Sequence, residues 1–407
     1  MMCCLCRFLC CFSCCSSDEK LGHKRRHKNY TELGRTRVSG FSNRTTVSFD
    51  RQQALQAASS PSNLPTLDLT IMYDLPDNKY KTVDNIIDYH GFQLLNEELG
   101  RGGVGVVYKG RRKIDNSFVA IKVMDISGKY YKSLKADAKN ELFVMQKTSH
   151  PYIIQIYSHF IVRYTIENIT KVYIMMRLAE NKSLSEYVRQ LTTGMDEIRA
   201  KRMFAQIVSA VSHMHSFGIA HSDLKMGNIL LDKDMNVLVS DFGLSRVNFR
   251  EKKGGVIMST KFMGTVPYMA PEILNLKLKR NTQYNPFITD VWALGIILFI
   301  IINRYYPFGG ENCKPGAGGR LDKPKQEKQC FTEMIKKMQS FDKNPSQPFN
   351  RYMKASPEFE DIIRRLFTFN PDKRITIRDL SRHPWISQEI DSIKLQFGQQ
   401  VINKYLN

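Results

Sequence analysis

The sequence predicts an α+β chain of two unequal lobes, a small β-rich one followed by a larger, mainly helical one. From Phe92, apolar residues alternate on either side of a glycine-rich turn, the period-two pattern of strands. Beyond Leu184 the apolar spacing lengthens to the helical repeat, most clearly over Ala200–His215 and Asp290–Asn303. A length of 407 residues is enough for a core in two parts with sequence left over.

Residues 1–90 do not read as a packed domain. Seven of the nine cysteines (Cys3, Cys4, Cys6, Cys10, Cys11, Cys14 and Cys15) fall in the first fifteen residues, and a basic run, His23 to Lys28, follows. Zinc binding would need paired cysteines separated by a loop, and a secretory signal an apolar core and a small-residue cleavage site. Clustered S-acylation beside basic residues fits best, because two or more acyl chains anchor stably where one holds weakly. Met2 occupies the place that N-myristoylation requires to be glycine. Residues 1–30 are therefore expected to be a membrane tether and 31–90 a flexible, Ser/Thr/Asn/Arg-rich linker.

The other two cysteines, Cys313 and Cys330, do not make a disulfide framework, so the body reads as cytosolic. The apolar stretch Trp292–Asn303 is too short to span a bilayer and reads as a buried helix. The formal charge of +21 favours anionic partners, and ten Lys/Arg against four Asp/Glu lie in residues 1–60. No RNA-recognition or zinc-finger pattern accompanies it, so no nucleic-acid partner is expected.

In the small lobe, strands are expected at Ser117–Met124, Ile153–Phe160 and Val172–Met176, with a helix over Lys135–Thr148. Leu99-Gly100-Arg101-Gly102-Gly103-Val104-Gly105-Val106-Val107 contains G-x-G-x-x-G, whose glycines let backbone N–H groups approach phosphate oxygens. A dinucleotide site would open a helix there; here a strand continues. Lys122, in Val119-Ala120-Ile121-Lys122, could neutralise phosphate if a carboxylate oriented it. Glu141 is the natural partner and Asp137, one turn earlier, the competitor.

The run His221-Ser222-Asp223-Leu224-Lys225-Met226-Gly227-Asn228, then Asp241-Phe242-Gly243, supplies a base, a cation and two metal ligands with two apolar β-runs between. Asn228 and Asp241 offer the hard oxygens that magnesium prefers. Residues 310–328, rich in Gly, Lys and Pro, read as a surface insertion.

Taken together, the chain resembles the eukaryotic protein kinases, whose glycine loop, V-A-I-K, H-R-D-L-x-x-x-N, D-F-G and A-P-E occur here in order, ending at Ala270-Pro271-Glu272. The resemblance covers roughly residues 92–386 and implies a kinase domain over 91–386, with an N-lobe to about 178 and a C-lobe from 179, then a short tail, 387–407. It implies ATP and Mg2+ as cofactors and protein Ser/Thr hydroxyls as acceptors. Asp223 would be the catalytic base and Lys225 would steady the γ-phosphate. Lys122 would contact the α- and β-phosphates and pair with Glu141, while Asn228 and Asp241 hold magnesium. The adenine would lie between Val107, Ala120 and Leu230, with Met176 as gatekeeper before the hinge Arg177-Leu178-Ala179.

Met145, Ile156, His221 and Phe242 resemble the spine of active kinases. Glu272 would pair with Arg374, and Asp290 would brace the catalytic loop. Lys225 and Gly264-Thr265 point to serine/threonine acceptors, and Tyr306-Pro307-Phe308 with His383-Pro384-Trp385 to the calmodulin-dependent kinase group. With Lys122, Asp223 and Asp241 all present, a non-catalytic scaffold is disfavoured.

Three positions depart from the family pattern. Ser222 replaces the arginine that grips an activating phosphate, leaving Arg246, Arg250, Lys252, Lys253 and Lys261 as candidate cations for Ser259 or Thr260. Met226 stands where proline is common. Gly227, like Ser183, lacks the carboxylate that selects an upstream arginine in a substrate. The expectation is an enzyme active without activation-segment phosphate, peripheral to a membrane.

Overall fold

The computed structural model describes residues 71–75, 80–102, 105–128, 131–247, 255–279, 282–311, 313, 323–344 and 356–406. The cysteine cluster, the basic run and most of the 31–90 linker lie outside them.

The small lobe contains β1 (Met72–Leu75), α1 (Tyr80–Tyr89), β2 (Phe92–Gly102), β3 (Gly105–Arg112), β4 (Phe118–Asp125), α2 (Tyr131–Lys147), β5 (Ile156–Tyr164) and β6 (Ile169–Arg177). Its strands form one sheet in the order β1-β5-β6-β4-β3-β2. Strand β1 runs parallel to β5, and the other pairs are antiparallel.

Pleating gives this sheet two faces. Ala120 opposes Met176, and Lys122 opposes both Val107 and Ile174; these residues share the inner face. Ile121 opposes Met175 and Val123 opposes Tyr173 on the outer one. Helix α1 covers the outer face, burying Val83, Ile86 and Ile87 in a core with Phe92, Val119, Ile121, Phe160, Val162, Tyr164, Tyr173 and Met175. Complete burial of a side chain such as Ile87 contributes roughly 1.5–3 kcal/mol.

Polar contacts pin this cap. The His90 ring stacks on Phe160 at 4.7 Å, with Nε2 3.1 Å from the Tyr73 hydroxyl and Nδ1 3.1 Å from Ser158 Oγ. Burial, helped by nearby His159, takes the His90 imidazole down to about 4. The linker expected to reach residue 90 therefore gives way to packed structure by Met72. A four-residue strand has too little periodicity to read, and α1 offers three buried apolar side chains among those described.

The large lobe contains α3 (Leu184–Gln190), α4 (Glu197–Ser216), β7 (Ile229–Leu231), β8 (Val237–Val239), α5 (Pro271–Leu278), α6 (Pro286–Asn303), α7 (Lys323–Lys343), α8 (Pro357–Leu366), α9 (Ile377–Leu380) and α10 (Ser387–Leu406). Local chemistry sets the helix starts. Ser183 and Glu186 close a capping box on α3, Asp196 caps α4, and Asn285 caps α6 ahead of Pro286. Arg304, at φ 63, ends α6 in the left-handed region.

Helix α6 is apolar on every side and buried along nearly its whole length. It begins at Pro286, before the stretch judged too short to span, and is the one described helix long and apolar enough to cross a membrane, but it is buried within the lobe, as expected. Trp292 lies 5.4 Å from Phe308 and 5.2 Å from Phe367. A Cβ at Gly295 would meet Phe367 at 2.8 Å, so this close approach of α6 and α8 needs glycine.

Two further segments take on structure. The 310–328 insertion runs into α7, mainly exposed over 325–328, and beyond it Phe331, Met334, Ile335, Met338 and Phe341 point into the core at helical spacing. The 387–407 tail is largely helix α10, which packs on α4 and buries Ile390 and Ile393.

Candidate active site

Lys122 rises from the inner face of β4, and α2 brings Glu141 to it. The ammonium is 2.6 and 2.9 Å from the two Glu141 oxygens and 3.9 Å from Asp241. Burial alone would lower the Lys122 pKa, but Glu141 and then Asp241 outweigh it and raise it, so the lysine stays charged. Asp137 is not the partner. Burial pushes its carboxyl up, against the pull of Arg246.

Leu99, Gly100, Arg101 and Gly102 end β2, and Gly105, Val106 and Val107 begin β3; Gly103 and Val104 lie outside the described residues. A Cβ at Gly100 or Gly102 would meet nothing within 4 Å, which leaves the turn open to a ligand. At Gly105 it would strike the Val123 carbonyl oxygen at 2.3 Å, so this glycine answers to strand packing. Arg101 pairs with Glu98 at 2.6 Å.

Ala120, Val107 and Met176 line the inner face beside Lys122. From the other lobe β7 supplies half-buried Leu230, bridged to Ser183. Leu178 is buried in the connection between the lobes. Arg177 fixes that connection: its N–H donates to the Gln155 carbonyl at 2.8 Å and its guanidinium to buried Asp232 at 2.8 Å. The role of Asp232 escaped sequence reading, since a lone aspartate after a β-run carries no motif.

The catalytic loop hangs on Asp290, the brace expected from sequence. Its buried carboxylate accepts from the backbone N–H of His221 at 2.7 Å and of Ser222 at 2.8 Å, and lies 2.9 Å from His215 Nε2. His215 was not foreseen, although it ends the helix that leads into the loop. Lys225 Nζ donates to Asp223 at 2.7 Å and to Thr265 Oγ1 at 3.1 Å, and Thr265 donates to Asp223 at 2.7 Å. Asn228 donates to the Asp223 backbone and side chain at 2.9 and 3.3 Å. An ammonium, a hydroxyl and an amide thus converge on the one carboxylate of Asp223.

The residues fit a magnesium–nucleotide group. Asp241, held at φ 66, keeps its side chain 46% exposed, and its nearest cation is Lys122 at 3.9 Å. Asn228 commits its amide nitrogen to Asp223, which leaves its amide oxygen as the remaining donor. Both are hard oxygen ligands. Phe242, buried beside them, lies 5.4 Å from the His221 ring, and Met145 and partly buried Ile156 belong to the same core cluster as Phe242. Asn140, missed in the sequence, locks this arrangement by donating to the carbonyls of Phe242 at 3.0 Å and Ser245 at 2.6 Å.

Glu272 and Arg374 pair at 2.6 and 3.0 Å with the guanidinium fully buried, as expected. Arg246 meets a neutral acceptor: Nε and Nη2 lie 3.1 and 3.0 Å from Met263 Sδ. Ser259 is buried and pairs through its backbone with Tyr284, whereas Thr260 is exposed. Arg250, Lys252 and Lys253 lie outside the described residues. The Ser222 hydroxyl is buried without a hydrogen-bond partner among the described residues. A Cβ at Gly227 would come no closer than 3.9 Å, to Lys225, so the missing carboxylate is not a matter of space. Ser183 uses its hydroxyl in the α3 cap.

The protein kinase domain family matches residues 94–386. The chain belongs to the protein kinase family. Among similar proteins are CBL-interacting serine/threonine-protein kinase 13 of Arabidopsis thaliana, 31% identical over 300 residues, and NUAK family SNF1-like kinase 1 of Homo sapiens, 30% identical over 294. The aligned parts cover 74% and 72% of this kinase but 52% and 38% of those proteins, and another such relative, CBL-interacting protein kinase 5 of Oryza sativa subsp. japonica, is covered over 55%. The chain therefore spans about half the length, or less, of the curated relatives it matches. These relatives agree with the resemblance to the calmodulin-dependent kinase group. Strand β1 and helix α1 precede the matched region.

Proposed function

We propose that this kinase transfers the γ-phosphoryl group of ATP to serine or threonine hydroxyls of proteins. The observation that carries this is the Asp223–Lys225–Thr265 triangle, with contacts of 2.7 to 3.1 Å, together with a formed Lys122–Glu141 pair. Asp223 would orient an acceptor hydroxyl and take its proton. Lys225 sets a positive charge beside it, and Thr265 fixes the carboxylate's direction. Asn228 and Asp241 would hold Mg2+, which supplies neutralising charge for phosphate. With labelled Mg-ATP and a mixed acceptor, label should enter serine and threonine. Asp241→Ala should lose it while the fold survives; full activity in that variant contradicts the assignment.

The same geometry supports activity without activation-segment phosphate, because Ser259 is buried and the Arg246 contact is with a thioether. Phosphatase-treated enzyme should keep its initial rate to within about tenfold, or 1.4 kcal/mol of transition-state stabilisation. A larger loss sinks this reading.

Location at a membrane in signalling is supported by the N-terminal cysteines and basic run alone. Each basic residue near an anionic leaflet adds about 1 kcal/mol to what acyl chains provide. A fluorescent fusion of residues 1–30 should sit on membranes and leave them on thioester cleavage. A uniformly cytosolic fusion in acylation-competent cells refutes it.

A further inference from the structure

Among the described residues there are two cysteines, 17 residues apart, and the structure joins them. Cys313 and Cys330 are paired as a disulfide with a Cα–Cα distance of 6.2 Å, inside the range such a bond requires. Both residues are half-buried, so a small oxidant or a thiol can reach them.

What each end holds gives the pair its meaning. Cys313 closes a turn, its N–H donating to the Gly310 carbonyl at 3.1 Å. Gly310, at φ 98, is wedged so tightly that a Cβ would meet Met334 of α7 at 2.9 Å and Pro267 at 3.3 Å. Cys330 lies on α7 next to Phe331, which is fully buried with its ring 5.7 Å from that of Phe262. Phe262 and Pro267 flank Thr265, the residue that donates to Asp223. The two anchor points of the disulfide thus bear on the activation segment on either side of its contact with the catalytic carboxylate.

We propose that Cys313 and Cys330 form a reversible staple that fixes the acceptor-binding part of the activation segment, closed by a peroxide and opened by a thiol. It rests on the kinase reading for its effect on catalysis, but not for its effect on structure. In closure, one thiolate attacks the peroxide; an S–O bond forms as the O–O bond breaks, giving a sulfenic acid and one water. The second thiol then attacks that sulfur, an S–S bond forms as the S–O bond breaks, and a second water leaves. Two thiols supply the two electrons that the peroxide accepts. In a reducing compartment the pair stays open, which makes an oxidant the signal.

The test uses the full chain, reduced with dithiothreitol or treated with hydrogen peroxide, beside Cys313→Ser and Cys330→Ser. Peptide mapping of the peroxide-treated protein should find the 313–330 disulfide. Amide exchange over residues 255–268 should then slow by about tenfold relative to the reduced protein, and neither variant should respond. The KM for a protein acceptor should fall about threefold on closure with kcat nearly unchanged, a split that mere stabilisation of the fold would not produce. Absence of the disulfide after peroxide overturns the proposal. So does a disulfide that leaves exchange over 255–268 unchanged, or one that slows exchange with no change in KM in an active enzyme. A protein inactive in both states counts against the kinase reading alone, and the exchange result still decides the staple.

Discussion

Ile121 and Lys122 are adjacent on one strand yet belong to different problems. Lys122 faces the gap between the lobes, where its charge is held by Glu141 and left for a ligand. Ile121 faces the other way and is fully buried in the outer-face core to which α1 contributes Val83, Ile86 and Ile87. The inner face must stay open, so chemistry dictates its residues one by one. The outer face need only be apolar and covered, so many sequences could serve. The β1–α1 cap lies before the region that the kinase family matches, so this sheet recruits its cover from sequence that the domain pattern does not describe.

Exchanging the fates of these neighbours breaks the comparison if it is wrong. Lys122→Met should cost about 10²–10³-fold in kcat, the loss typical of removing one preorganised electrostatic group, with any loss of stability coming from the Glu141 carboxylate left unpaired. Ile121→Ala should do the opposite. It should lose about 2–5 kcal/mol of unfolding free energy in a denaturant titration, with specific activity kept at low temperature. A melting point unchanged in Ile121→Ala would mean that the cap does not seal the outer face.

A smaller effect sharpens the same contrast through pH. Burial, helped by His159, holds His90 near 4, and burial, helped by His213, holds His150 near 3; burial also lowers His159 and His213. These imidazoles are neutral in the folded protein, whereas the unfolded chain binds protons from about 6.5 downward. Their contribution to stability is therefore complete above about 6.5 and is lost as pH falls toward 4 and 3. Thermal melts between pH 7.5 and 5 should show a falling midpoint, with a shallower fall in His90→Gln. Equal slopes would remove His90 from the account.

The inner face and catalytic loop were legible because phosphoryl transfer needs particular residues at fixed spacing. Lys122, Asp223, Lys225, Asn228 and Asp241 were all placed from motif alone, and Glu141 was preferred to Asp137 correctly. The supports were harder. Asn140, His215 and Asp232 act through single contacts with backbone or with one charge, and nothing in a sequence distinguishes such a residue from a solvated one. Helix α7 had a readable stripe from Phe331 to Phe341, but its Lys- and Pro-rich start resembles a loop. The Cys313–Cys330 pairing depends on a turn and a helix start meeting in space, which a separation of 17 residues does not encode.

On the proposed function, the carboxylate of Asp223, held by Lys225, Thr265 and Asn228, does the chemistry rather than the binding. The direct measurement is the rate of phosphate transfer by Asp223→Asn beside its affinity for Mg-ATP, measured by nucleotide fluorescence. In that variant kcat should fall about 10²–10⁴-fold, the usual worth of a positioned base, with nucleotide affinity unchanged to within about threefold. A variant that transfers phosphate at the wild-type rate would contradict it.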